Sequence, residues 1–148
     1  MTEAPQILLR HHLKQLRLPT FQGEYAKQAQ LCAAENKDHI HYLARLCEME
    51  LIDRERRIKA AKFPSTKSLD SFDFKIMPSL NKPLTMDLAR CDYVDRRENI
   101  IALGPSGTGK THIALGLGLA ACQRGLKVRF TTAAALVHDL IEAQGSCL

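Results

Sequence analysis

One stretch of eight consecutive residues has the types and spacing for recognisable chemistry: Gly104-Pro105-Ser106-Gly107-Thr108-Gly109-Lys110-Thr111. It fits the pattern G-x-x-x-x-G-K followed by Ser or Thr, the loop that cradles nucleotide phosphates (P-loop). The glycines let the backbone curl so that successive N–H groups point at an anion. Lys110 can reach the β and γ phosphates, and the Thr111 hydroxyl can ligate Mg²⁺. The residues therefore predict a nucleotide site.

The flanks of this loop match the strand–loop–helix context that the motif needs. Residues 100–103 form an apolar run, typical of a strand buried on both faces. Residues 111–123 contain no proline and carry apolar residues at helical spacing, and Gly125 is well placed to end that helix. A second strand over 127–131 and a helix capped by Thr132 follow. We therefore expect an α/β fold with a parallel sheet.

The composition is that of a soluble globular protein. Of 148 residues, 45% are hydrophobic and 25% are charged. No run of 18 apolar residues exists, so we expect no membrane span. The first residues lack a basic stretch followed by an apolar one, so we expect no signal peptide. The net charge of +5 is compatible with a nucleic-acid partner.

The cysteines and histidines give no sign of a metal site. The cysteines are odd in number, widely spaced and without C-x-x-C: Cys32, Cys47, Cys91, Cys122 and Cys147. This pattern favours a reducing cytoplasm over a disulfide framework or a zinc site. The six histidines lack Cys or acidic partners at ligand spacing.

Three helices are predicted before the loop, over about 6–18, from Thr20 onward, and over about 38–62. The second half of the third helix is strongly charged. Its basic residues form a candidate DNA-backbone surface, consisting of Arg54, Arg56, Arg57, Lys59 and Lys62. The alternative, with equal weight, is a solvated face whose acids precede bases at i,i+4, as in Glu50–Arg54, Asp53–Arg57 and Glu55–Lys59.

Pro64 marks the predicted division of the chain. Residues 1–63 are expected to form a helical N-terminal domain. Residues 64–148 are expected to be a linker plus the N-terminal portion of a P-loop domain. Phe72, Phe74 and Tyr93 are too apolar for a loose linker, so we expect them to pack onto the second unit.

The acids that a P-loop ATPase needs are not recognisable. Such an enzyme places a carboxylate at the end of a second apolar strand to hold Mg²⁺. After Thr111 the acids are Asp139 and Glu142, both in the predicted last helix. Two strands also leave apolar sheet edges uncovered. No catalytic residue is therefore assigned, and the sheet is expected to be incomplete.

Several blocks together resemble the IstB-type transposition-helper ATPases of insertion sequences, relatives of the helicase loaders within the AAA+ group. The blocks are residues 54–64 (RERRIKAAKFP), 72–74 (FDF), 98–112 (ENIIALGPSGTGKTH), 117–122 (LGLAAC) and 130–137 (FTTAAALV). The similarity covers nearly the whole chain. It implies a helical N-terminal domain followed by an AAA+ ATPase domain.

The resemblance also implies what such a protein does. Members bind ATP, assemble on DNA as homo-oligomers and partner the transposase of their element. The phosphate-binding role transfers to Gly104–Thr111 because those residues match. The Walker B, sensor and arginine-finger residues of the family have no counterpart here, so the chain looks C-terminally truncated and ATP hydrolysis is left open.

Three functions are therefore carried forward. The first is an ATP-binding accessory protein of a transposase, with residues 92–94 (Asp-Tyr-Val) as a speculative contact on the adenine side. The second is a non-hydrolysing remnant whose helical part binds DNA or a partner protein. The third, a small P-loop kinase, has little support because few basic residues follow Lys110.

Overall fold

The computed structural model describes residues 3–145, and helices are the regular structure of that range. The helices are α1 Glu3–Gln15, α2 Pro19–Ala34, α3 His39–Ala60, α4 Lys82–Leu88, α5 Asp92–Asp95, α6 Lys110–Gln123 and α7 Ala133–Gly145. None of these helices is both long and apolar enough to cross a membrane.

The first three helices form where local signals place them. Pro19 occupies the first turn of α2, where its missing N–H costs nothing. Asp38 caps α3, because its carboxylate accepts a hydrogen bond from the His41 N–H at 2.9 Å. α2 packs along α3 and α1 packs against α2, with the side chains of Cys32 and Leu46 buried.

A buried ion pair joins this helical part to α6. The Glu50 carboxylate lies at the N-terminus of α2, where it accepts the Thr20 N–H at 3.0 Å. Arg57 donates to Glu50 at 2.9 Å, and its Nε donates to the Cys122 carbonyl in the last turn of α6 at 3.3 Å. Side-chain exposure is 5% for Glu50 and 14% for Arg57, so the pair is largely shielded from solvent.

The prediction of an α/β fold with an incomplete P-loop parallel sheet is wrong for the described residues, which contain no strand. Residues 100–103 and 127–130 have no regular secondary structure. Instead of pairing, the two segments line a cleft of about 520 Å³ through Ile100, Ala102, Lys127, Val128 and Arg129. The Phe130 N–H donates to the Ala61 carbonyl at 2.8 Å, at the end of α3. Ile101 and Leu103, predicted to be buried, are 78% and 89% exposed. An apolar run becomes a strand only when a neighbouring backbone completes its hydrogen bonds.

α6 carries most of the core in the second half of the chain. Its buried side chains include Leu115, Leu117, Leu119 and Cys122. As predicted, Gly125 follows its end, with φ +81°. The helix α7 is capped by Thr132, whose hydroxyl accepts the Ala135 N–H at 3.2 Å. The predicted boundary between residues 1–63 and 64–148 stays a prediction, and α3 contacts α6 across it.

The described cysteines are free thiols. Cys32, Cys91 and Cys122 are buried, and Cys47 is exposed. Burial raises the pKa of the Cys91 and Cys122 thiols above the ordinary value, which keeps them protonated and unreactive at neutral pH. Cys147 lies outside the described residues. No cluster of potential metal ligands occurs in residues 3–145.

We predict that Arg57→Ala destabilises the chain by about 3–5 kcal/mol, because it leaves the buried Glu50 carboxylate without its cation. The matched control is Arg56→Ala, which removes an exposed pair with Asp53 (3.0 Å); that change is expected to cost about 0–1 kcal/mol. Urea denaturation measures both. Equal, small losses in the two variants would show that the Glu50–Arg57 pair does not hold the helices together.

Candidate nucleotide-binding site

The backbone of the loop Gly104–Thr111 is curled by its glycines. Gly104, Gly107 and Gly109 have φ angles of +156°, +76° and +82°, a region that residues with a Cβ rarely adopt. Inside the loop, the Thr108 hydroxyl donates to the Pro105 carbonyl at 2.8 Å. Within the loop, Gly109 is the N-cap of α6. The free N–H groups of this 14-residue helix therefore begin inside the loop.

Lys110 is the first residue of α6 and turns back over the loop. Its Nζ donates to the Pro105 carbonyl and lies 3.4 Å from Oγ1 of Thr108. Thr111 is exposed, as are Pro105 and Ser106. A cation, a hydroxyl and the helix N-terminus thus lie together around one loop. This donor set fits a phosphate group and its Mg²⁺.

The tightest contact of the loop comes from a residue far away in sequence. A Cβ added to Gly109 would lie 2.6 Å from Cε2 of Phe72. The Phe72 ring also meets the ring of His112 edge-on at 5.2 Å, and that of Phe74 at 4.9 Å. Nε2 of His112 lies 3.0 Å from the Ser68 carbonyl. Phe72 therefore packs onto the second unit as predicted.

Residues 68–74, which we call the strap, continue along α6. Leu69 is buried, and a Cβ on Gly116 would lie 2.7 Å from its Cδ2. Gly109, His112 and Gly116 recur at helical spacing, so they share one face of α6. The strap runs antiparallel to the helix, since Leu69 meets Gly116 and Phe72 meets Gly109.

A pocket of about 330 Å³ opens beside Lys110 and Thr108, with mainly apolar walls that include Met77, Leu84 and Leu103. The speculative contact at residues 92–94 is not brought to this pocket. Tyr93 and Val94 line the 520 Å³ cleft, which shares wall residues such as Ile113 and Leu117 with this pocket. Asp92 pairs with Arg17 at 3.3 Å.

The basic residues of α3 have different surroundings. Arg57 is held in the buried pair with Glu50, and Nε of Arg54 is buried without a hydrogen-bond partner. Arg56 is 74% exposed and pairs with Asp53. Lys59 and Lys62 are exposed. Both arginine pairings differ from the i,i+4 pairs expected from the sequence.

Two features of the site have weak signatures in the sequence. The contact of Phe72 with Gly109 joins residues far apart in the chain, and no local pattern announces it. Gly116 and Gly118 give a better clue, because each glycine inside a helix costs about 1 kcal/mol relative to alanine. Such residues indicate that another part of the chain approaches closely, as Leu69 does at Gly116 and Phe63 at Gly118.

Comparison with known proteins gives a consistent family. A family model described as IstB-like ATP binding protein matches residues 11–147. The chain is 35% identical over 140 residues to a protein of Geobacillus stearothermophilus named as an ATP-binding protein of insertion sequence IS5376, covering 91% of this chain and 56% of that protein.

Other relatives have similar names. The chain is 40% identical over 90 residues to the protein named for insertion sequence IS21 in Pseudomonas aeruginosa, covering 61% of this chain and 34% of that one. It is 34% identical over 134 residues to an insertion-sequence ATP-binding protein of Sinorhizobium fredii, covering 86% and 45%. The chain spans about half the length of the curated relatives it matches.

Proposed function

Because the chain belongs to the family of IstB-like ATP-binding proteins, we propose that it binds Mg-ATP at Gly104–Thr111 as an accessory protein of insertion-sequence transposition. The observation that carries the proposal is the geometry of the loop. Three glycines with positive φ lead into the N-terminus of α6, where Lys110 begins the helix. The relatives are named as ATP-binding proteins of insertion sequences, which supports the choice of nucleotide and of biological setting.

Each group in the loop has a role in this proposal. The backbone N–H groups of residues 107–111 would hold phosphate oxygens, helped by the helix dipole. Nζ of Lys110 would leave the Pro105 carbonyl for the β and γ phosphates, since a charged acceptor makes the stronger hydrogen bond. The Thr111 hydroxyl would be a ligand of Mg²⁺, which neutralises phosphate charge when bound.

The chain is proposed to bind Mg-ATP, and no residue of it is assigned a role in hydrolysis. Asp139 and Glu142, the acids that follow the loop, lie on α7. Asp139 forms an ion pair with Arg129. The partners proposed for the chain are DNA, the transposase and further copies of the same chain. The proposed location is the cytoplasm.

We predict that Lys110→Ala removes measurable Mg-ATP binding, because the variant loses the cation that faces the phosphates. Calorimetry on the whole chain measures the Kd. A ligand present at about 100 times its Kd stabilises the native state by about 2.7 kcal/mol, so a thermal shift checks the result independently.

The matched control is Lys37→Ala, which removes an exposed lysine in the loop between α2 and α3. That variant is expected to bind ATP as the unchanged chain does. Equal ATP affinity for Lys110→Ala and the unchanged chain would overturn the assignment of the site.

DNA binding by α3 is the second candidate function. It is favoured by the exposure of Arg56, Lys59 and Lys62 near the C-terminal end of one helix, where cations can reach successive phosphates. Arg57 and Arg54 are less accessible, so the proposal gives them a minor share of such a contact. This function does not require nucleotide hydrolysis, and it would serve either an ATP-dependent helper or a helical module acting alone.

We predict that Arg56→Ala with Lys59→Ala weakens DNA binding and lowers the slope of log K against log salt by roughly 2, since two phosphate contacts are lost. The charge-matched control is Lys14→Ala with Lys27→Ala, on α1 and α2. Fluorescence anisotropy with duplex DNA at several salt concentrations measures both. A similar change of slope in the control would show that only net charge attracts DNA, not α3.

A further inference from the structure

We propose that Phe72 is a positioning residue for nucleotide binding: its ring holds Gly109, and through it the N–H groups of the loop, in the conformation that receives phosphate. This inference rests on the proposed binding of ATP at Gly104–Thr111. Phe72 lies in the strap, outside the phosphate-binding motif, and it acts through Gly109 without reaching the nucleotide.

The Phe72 ring lies in close contact with Gly109. Gly109 combines a left-handed backbone (φ +82°) with a ring so close that a Cβ would lie 2.6 Å from Cε2 and 3.1 Å from Cζ of Phe72. Gly107 shares the positive φ, at +76°, but a Cβ added there would have nothing within 4 Å. A Cβ on Gly104 would lie 3.3 Å from Oγ1 of Thr108, which belongs to the loop itself. Gly109 is therefore the loop glycine that a side chain from outside the loop supports. It is also the N-cap of α6, the point from which the helix N–H groups are aimed.

Two neighbouring rings hold the Phe72 ring in place. One edge meets His112, whose ring stands nearly perpendicular at 84°, a favourable arrangement for aromatic rings. Nε2 of His112 donates to the Ser68 carbonyl, because a carbonyl can only accept. The Ser71 hydroxyl lies 3.2 Å from the same nitrogen. The ring of Phe74 lies 4.9 Å from that of Phe72, and Nζ of Lys82 lies 5.3 Å from the Phe74 ring centre.

A second contact, at Leu69, sets the register between the strap and α6. Leu69 is buried against Gly116, and its Cδ2 and Cγ would lie 2.7 Å and 3.0 Å from a Cβ added there. Gly116 lies two helical turns from Gly109, on the same face of α6. The strap is thus attached to the helix at two points, and a shift of one residue would separate both contacts. The Leu69 contact stabilises α6 two turns from the loop, whereas the Phe72 contact is the one that reaches Gly109.

Loss of the Phe72 ring is expected to weaken nucleotide affinity more than it destabilises the fold. Without the ring, Gly109 regains the wide choice of backbone conformations open to glycine, and binding must then order the loop. Ordering the backbone of one further residue on binding weakens the Kd by roughly fivefold to thirtyfold. Leu69→Ala, by contrast, removes packing at Gly116, two turns away, and is expected to keep the ring beside Gly109.

The experiment compares Phe72→Ala with Leu69→Ala in the whole chain. Both remove apolar packing between strap and α6, so both are expected to lower Tm. Calorimetry with Mg-ATP, performed well below both Tm values, is expected to give a Kd raised roughly tenfold for Phe72→Ala and unchanged for Leu69→Ala. Phe72→Leu, which keeps an apolar side chain, is measured beside them and should show a smaller loss in the same direction.

The outcomes separate this inference from the proposed function. No ATP binding by the unchanged chain would overturn the proposed function and this inference with it. ATP binding by the unchanged chain, with the same Kd in Phe72→Ala or, if that variant does not fold, in Phe72→Leu, would overturn this inference alone. An equal rise of Kd in Leu69→Ala would also overturn it, since the effect would then follow general stability.

Discussion

The buried carboxylate of Glu50 is the group on which the arrangement of the long helices depends. It accepts N–H groups at the start of α2 and the guanidinium of Arg57, and Arg57 in turn reaches the Cys122 carbonyl at the end of α6. A negative charge thus lies at a helix N-terminus and a positive charge at a helix C-terminus, as the helix dipoles favour. Because burying either charge alone is costly, α2, α3 and α6 are held in one relative position.

The candidate phosphate-binding loop, residues 104–111, depends on the same helix at its opposite end. α6 is held at its C-terminus by Arg57, and at its N-terminus it packs against the strap through Gly109 and Gly116. The glycines lower the intrinsic helix propensity of α6, but they let the strap approach the backbone. In exchange, the loop is supported by tertiary contacts that the motif alone does not supply. The proposed nucleotide site is therefore part of a larger unit that includes residues 68–74 and the end of α3.

The sequence was informative where the signal is local. Thr132 as the cap of α7 and Gly125 at the end of α6 are confirmed, because each acts on its own neighbours. The prediction of strands at 100–103 and 127–131 is wrong, because a strand needs a partner backbone that an apolar pattern does not specify. The predicted i,i+4 pair of Asp53 with Arg57 is also wrong. Arg57 instead pairs with Glu50, seven residues earlier on the same helix, because packing of α2 and α6 buries both groups and a buried carboxylate needs its cation.

The most direct test of the central claim is hydrogen exchange of the unchanged chain with and without Mg-ATP. If loop and strap form one nucleotide-binding unit, ATP should slow amide exchange in residues 104–113 and in residues 68–74 together, while residues 6–15 of α1 serve as the unaffected reference. Protection of the loop with unchanged exchange in the strap would contradict the account, because the two segments would then respond independently. Unchanged exchange throughout, at saturating ATP, would contradict nucleotide binding itself.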